Sequence, residues 1–335
     1  MIPDIYKASP ERYAEDTMTY RRAGRSGILL PAISLGLWQN FGGSVPFERS
    51  RTLLHSAFDN GITHFDLANN YGPPYGSAEE TFGRMITSSF APYRDELLIS
   101  TKAGYDMWHG PYGNWGSRKH LMASIDQSLR RMHLEYVDIF YIHRFDPLTP
   151  IEETMRALVD IVRAGKALYV GISRLPHEAL KKGLSYLDEH ECRCLLVQDR
   201  YNIFDRHTVT DGILEAASSA GAGFVSFSPL AEGLLTDRYL DGAVPADSRA
   251  ARRAHLKPEV LTSGMLERLN GLNRLAAERG QTLAQMALSW ILADSRVTSV
   301  LVGASSVEQL ESNLKAIRNT SFTDEEMKRI DTLSV

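Results

Sequence analysis

The chain has 335 residues, 43% hydrophobic and 23% charged, with a formal net charge of −4 and a pI near 6.2. That balance describes a globular chain with a full core, and it excludes a strongly basic nucleic-acid footprint. No apolar run approaches the length of a membrane span, and the length suits one α/β barrel read as a single domain, 1–335.

The first 18 or so residues form a polar extension without the apolar stretch of a signal peptide, so a cytoplasmic location is expected. Beyond it, short apolar runs alternate with longer amphipathic ones. Strands are expected at 33–37, 63–66, 97–101, 137–143, 167–172, 195–198, 223–228 and 298–302, each rich in Ile, Val, Leu, Phe or Tyr, as strands buried on both faces should be. Between them, 49–60 carries Leu53, Leu54, Ala57 and Phe58 at helical spacing and is stopped by Gly61. Segments 117–132 and 151–164 read the same way, the second opening after Pro150 with Glu152 and Glu153 in its first turn. A pair of helical patterns flanks Gly280. The segments 73–79 and 233–257 are long for connections, and in a barrel such loops shape the site.

Eight strands alternating with helices argue for a closed (β/α)8 TIM barrel with long loops on its C-terminal face. An open doubly wound sheet would announce itself with G-x-G-x-x-G after its first strand; here that strand runs into Gly36-Leu37-Trp38. The basic run at 249–257 reads as a solvated loop. Cys192 and Cys194 stand too close for an unstrained disulfide and read as free thiols. With His190 they make H-x-C-x-C, but no second ligand pair accompanies it, so no metal is expected.

The strand ends carry the chemistry. Asp66, Lys102 and His143 each close or follow a strand, and Tyr71 lies in the loop after Asp66. A buried ammonium needs a partner, and Asp66 on the neighbouring strand is the economical one. A cation beside the Tyr71 hydroxyl would favour the phenolate and lower the phenol pKa, which makes Tyr71 a candidate general acid. His143 would orient a carbonyl oxygen. The duller readings are a rim salt bridge, a packing aromatic and a core histidine. Carbonyl reduction needs a hydride that no side chain supplies, so a nicotinamide cofactor is implied. Tyr201 could stack on its ring, or simply pack in the core, while Gln198 and Ser173 bind its amide. The stretch 226–235 would bring backbone N–H groups to a pyrophosphate, and Ser305 opens a helix suited to phosphate, or merely caps it.

These residues resemble the aldo-keto reductase superfamily, through Asp66-x4-Tyr71, Ser100-Thr101-Lys102, Ile142-His143, Gly171-Ile172-Ser173, Gln198, Ser228-Pro229-Leu230 and Gly303-Ala304-Ser305, in the family's order. Segments 65–74 and 102–108, and Leu234-Leu235-Thr236, resemble its L-glyceraldehyde 3-phosphate reductase group, which is related to potassium-channel β subunits. The resemblance implies a catalytic tetrad of Asp66, Tyr71, Lys102 and His143. It also implies cofactor contacts from Trp38, Asp66, Ser173, Gln198, Tyr201, Ser228, Leu230, Gly233, Arg238, Ser305, Gln309 and Asn313. Trp38, Trp108 and His109, with Tyr71 and His143, would wall a pocket for a small aldehyde such as glyceraldehyde 3-phosphate or methylglyoxal. NADPH is the cofactor implied; Ser306 stands where relatives often carry Arg against the 2′-phosphate, which weakens the preference over NADH. A homo-oligomer, tetramer or larger, is implied too. The alternative is a cofactor-sensing subunit with slow turnover; a barrel hydrolase using Asp66 is remote, because a metal cluster or second acid is missing.

Overall fold

The structure is a computed structural model that describes residues 6–245, 251 and 256–334; most of the basic run at 249–257 lies outside them. Its centre is a closed barrel of eight parallel strands: β3 (Ile33–Gly36), β4 (His64–Asp66), β5 (Leu98–Ala103), β6 (Val137–Ile142), β7 (Ala167–Ser173), β8 (Cys194–Arg200), β9 (Gly223–Phe227) and β10 (Val297–Val302), with β10 closing on β3. The eight expected strands are all present, with ends shifted by a residue or two. Helices α1 (Phe47–Asp59), α2 (Ser77–Ile86), α3 (Arg118–Met132), α4 (Ile151–Arg163), α5 (His177–Glu189), α6 (His207–Thr210), α7 (Ile213–Ser219), α8 (Ser263–Glu278), α9 (Leu283–Ala293), α10 (Val307–Leu314) and α11 (Asp324–Ser334) accompany them. The doubled pattern around Gly280 is α8 and α9; Thr282 and Gln285 form a reciprocal capping box that starts α9.

Strand pleat divides the core in two. Alternate side chains point to opposite faces of a strand. Residues such as Phe65, Ile99, Phe140 and Val170 pack outward against the helices, in one continuous apolar cluster. Ile139, Tyr141, Leu196, Val225 and Leu301 form a second cluster inside the barrel. Gly171 is required on this inner wall: a Cβ there would lie 2.2 Å from the Tyr141 ring. By the same parity Asp66, Lys102, His143, Ser173 and Gln198 belong to the inward set at the C-terminal ends, the usual place for barrel chemistry.

A strand pair is absent from the sequence reading. Residues Tyr20–Arg22 (β1) and Leu29–Pro31 (β2) form an antiparallel hairpin. It closes the N-terminal end of the barrel, with Ala23 and Leu30 fully buried in the inner cluster. The extension before it is packed as well. Tyr6 stacks on His55 of α1 at 3.7 Å between ring centroids and donates its hydroxyl to Asp59 at 2.8 Å. Arg12 lies over the Phe58 ring and pairs with Glu96 at 2.7 Å.

Candidate active site

Strand pairing brings the four sequence candidates to one end of the barrel. Asp66 sits opposite Ser100 in the register, and Lys102 opposite Tyr141. Backbone pairing continues past β4, from Leu67 N–H to Ser100 O (2.8 Å) and from Asn69 N–H to Lys102 O (2.9 Å), which carries the Tyr71 loop back over β5. The Lys102 ammonium donates to Asp66 Oδ2 and, at 2.8 Å, to Leu67 O. Both side chains are fully buried. Asp66 Oδ1 accepts from Ser100 Oγ at 2.6 Å and from Gln198 Nε2 at 3.3 Å. Lys102 Nζ stands 5.2 Å from the Tyr71 ring centroid, and the Tyr71 and His143 rings meet edge-on at 5.8 Å.

The electrostatics correct one expectation. Tyr71 was expected to be lowered by Lys102. Instead burial, with Asp66 and Tyr105 adding to it and Arg174 opposing, holds the phenol well above its ordinary pKa. The Asp66 carboxylate against Lys102 offsets part of the ammonium's field, and burial of the phenol outweighs the rest. Burial also pushes the Lys102 ammonium down, with Asp66 opposing. His143 is held well below the usual histidine value by burial and by the cations Lys102, Arg174 and Arg144, so its imidazole is neutral at physiological pH.

Several groups here are buried and without a partner. Ser173 Oγ has none in the structure, nor do His143 Nδ1, both side-chain polar atoms of Asn69 and Asn313 Nδ2. Buried polar atoms are nearly always paired; Ser173 Oγ, His143 Nδ1 and the Asn69 amide stand beside the four candidates and are free to meet a polar ligand, although such atoms also occur elsewhere, as at Ser50, Ser124 and Thr208. Ser173 lies next to Gln198 in the register, suiting a carboxamide. Ser228, Ala231 and Glu232 all take positive φ, as does Gly233, so the loop after β9 has the uncommon backbone conformation that lets N–H groups line a concavity. Ser305 donates through N–H and Oγ to Gln309, and Ser306 Oγ caps α10 by accepting from Gln309 N–H at 3.2 Å.

Other candidates fall differently. Tyr201 is 5% exposed and packs against Trp290, the core reading. Trp108 leans on His120 of α3, and His109 is exposed. Trp38 and Leu230 are half-buried, and Arg238 is exposed. A second aromatic beside His143 is Tyr105, at 4.7 Å, its hydroxyl held by Arg174 at 2.6 Å. Neither Tyr105 nor Arg174 was foreseen, nor was Asn69; the doubled Asn69-Asn70 after a strand end was the available signal. Arg144 fixes the loop after β5 by donating to Gly104 O (2.8 Å) and Asn114 Oδ1 (2.7 Å).

The model of the aldo/keto reductase family matches residues 32–335. The chain belongs to the aldo/keto reductase family. It is thus an oxidoreductase. It is 56% identical over 331 residues to an L-glyceraldehyde 3-phosphate reductase of Escherichia coli O157:H7, covering 98% of this chain and 95% of the relative. It is also 36% identical over 305 residues to a probable voltage-gated potassium channel subunit beta of Arabidopsis thaliana, covering 90% and 91%. No group of three or more His, Cys, Asp or Glu residues placed to hold a metal occurs among the described residues of this reductase. Cys194 is buried and its thiol is pushed up to about 12, so it is an inert thiol, and both cysteines are free. No described helix is long and apolar enough to cross a membrane.

Proposed function

We propose that this reductase converts small aldehydes to alcohols with NADPH, L-glyceraldehyde 3-phosphate and methylglyoxal being the chemical type. The observation that carries this reading is the convergence of Tyr71, Lys102, Asp66 and His143 beside buried polar atoms that lack partners. Ser173 and Gln198 fit the nicotinamide carboxamide, and Asn313, Ser305, Gln309 and Arg238 would hold the adenosine end. The cofactor, when bound, supplies the hydride to the carbonyl carbon. Neutral His143 donates one hydrogen bond to the carbonyl oxygen and fixes its direction. Tyr71 gives up its proton to that oxygen. Its raised pKa is compatible with the task, because an alkoxide is a stronger base than a phenolate and the transfer runs downhill only once that charge develops. Lys102 then stabilises the phenolate, and Asp66 keeps Lys102 charged.

The experiment is NADPH oxidation with glyceraldehyde 3-phosphate and methylglyoxal, wild type against Tyr71→Phe. Loss of general acid catalysis should lower kcat by about 10² to 10⁴. Undiminished turnover in the variant sinks the assignment. Similarity to the channel subunit favours a second reading, a cofactor-sensing subunit; very slow wild-type turnover with cofactor retained through purification would support it. We also propose a homo-oligomer of four or more subunits, which sedimentation tests.

A further inference from the structure

A chain of polar side chains runs through the floor of the barrel behind the tetrad, otherwise surrounded by hydrocarbon. Ser299 Oγ donates to Pro31 O at 2.7 Å and lies 2.6 Å from Ser34 Oγ. Ser34 Oγ lies 2.9 Å from His64 Nδ1, and His64 Nε2 lies 3.1 Å from Ser100 Oγ. Ser100 Oγ then donates to Asp66 Oδ1 at 2.6 Å. All five side chains are fully buried and come from four adjacent strands, β10, β3, β4 and β5.

The proton count of this chain is informative. Both ends, a backbone carbonyl and a carboxylate, only accept. Five hydrogen-bonding contacts link them, and each needs one proton. Three hydroxyls and a neutral imidazole bring four. One contact must go without. A bond to a carboxylate is roughly twice as strong as a neutral one, so Ser100 donates to Asp66; a hydroxyl that also accepts a proton donates more strongly, so the contacts leading to the carboxylate fill first and the unfilled one falls at the far end, where Ser299 serves either Pro31 O or Ser34. Every other donor then points toward Asp66: Ser34 to Nδ1, Nε2–H to Ser100, Ser100 to Oδ1. An imidazolium would fill all five contacts. It is disfavoured because burial pushes His64 down to about 4, with Asp66 opposing and Lys102 reinforcing. Besides Asp66 and Lys102, the titratable side chains on the inner face of the strands include Tyr141 of β6, Tyr169 of β7 packed against the same cluster, and His143 at the end of β6.

We propose that His64, held as the Nε2–H tautomer, is a positioning residue of the tetrad: with Ser34, Ser100 and Ser299 it forms a one-way donor chain that ends on Asp66 and keeps its other oxygen turned to Lys102. The proposal rests on the functional reading above for the role of Asp66.

Two measurements test it. In ¹⁵N-histidine-labelled wild type near pH 7, the side-chain resonances absent from His64→Asn report the tautomer. Nε2–H with bare Nδ1 is expected; Nδ1–H or an imidazolium overturns the proposal. Next, Ser100→Ala removes the terminal donor with little change of volume. Its kcat should fall about tenfold, and the acid-side midpoint of its kcat/KM profile should rise by about one pH unit. The Kd for NADPH, read by fluorescence, should stay within about twofold, and Ser100→Thr should restore the profile. A lowered melting temperature with kcat and pH profile unchanged would mean a purely structural chain and refute the positioning role. Absence of NADPH turnover in the wild type would instead overturn the functional reading, and with it any role for Asp66 to be positioned in, whatever the tautomer.

Discussion

Replacing Asp66 with Asn removes one charge from the centre of the barrel and almost no volume. Lys102 keeps its bond to Leu67 O but loses its counter-ion at full burial. Leaving one member of a buried pair uncompensated costs about 3–5 kcal/mol. The lysine has an escape, which sets a ceiling. Folding with a neutral amine costs the free energy of deprotonating an ordinary lysine, about 4.6 kcal/mol at pH 7 and about 1.9 kcal/mol at pH 9. The sign follows from linkage. Burial already depresses the Lys102 pKa in the folded state. A base depressed on folding binds fewer protons folded than unfolded, so stability rises with pH between the folded and unfolded values. The Asn variant should therefore be about 3–4.6 kcal/mol less stable than wild type at pH 7, and at most about 2 kcal/mol less stable at pH 9. Urea unfolding at the two pH values measures this, and the double variant Asp66→Asn/Lys102→Met should recover most of the loss. An equal deficit at both pH values, or a deficit below about 1 kcal/mol at pH 7, would refute the picture of a dry, obligate pair.

Further outcomes are expected. His64, held near 4 when folded and near 6.5 when unfolded, should cost the protein about 3 kcal/mol as pH falls from 7 to 4, since only the unfolded chain takes up the proton; His64→Gln should flatten that limb of the urea-midpoint curve. Gly83→Ala places a Cβ 2.3 Å from Arg131 O, forcing α2 off α3, and should cost about 1–3 kcal/mol in thermal or urea unfolding. Ser306→Arg should raise NADPH affinity relative to NADH about tenfold in a fluorescence titration, through one added charge-assisted contact, while losing the α10 cap at about 1 kcal/mol of stability. If both cofactors tighten equally, Ser306 does not face the 2′-phosphate.

The barrel, and the meeting of Asp66, Tyr71, Lys102 and His143 at one end of it, were legible because each rests on a local signal. Runs such as Ile139–Ile142 are buried on both faces and read as continuous apolar strands, and a polar, titratable residue at the end of such a run stands out. The hairpin was not legible. Tyr20-Arg21-Arg22 is three residues long and largely polar, and its place is set by Ala23 and Leu30 meeting the barrel floor from far along the chain. His64 was hidden for a related reason. In Thr63-His64-Phe65-Asp66 it looks like a polar interruption, and its partners come from β3 and β5. Tyr105 and Arg174 lie on different loops, and only the closed barrel brings them together. The Tyr71 pKa was misjudged because sequence showed a cation nearby but not how deeply the phenol is buried, and burial, with Asp66 adding to it, outweighs the cation.

The alternation of strand side chains limits how this protein can change. Tyr71 sits in a loop and could move by a residue at modest cost, but Lys102, Asp66 and His143 are registered to the pleat. Inserting one residue upstream of Lys102 within Leu98–Ala103 would leave a composition that still reads as a strand, yet turn the ammonium into the apolar layer under the helices. Drift in length is therefore confined to the connections, and new substrate preferences have to arise there, while the strands act as a ruler whose unit is two residues.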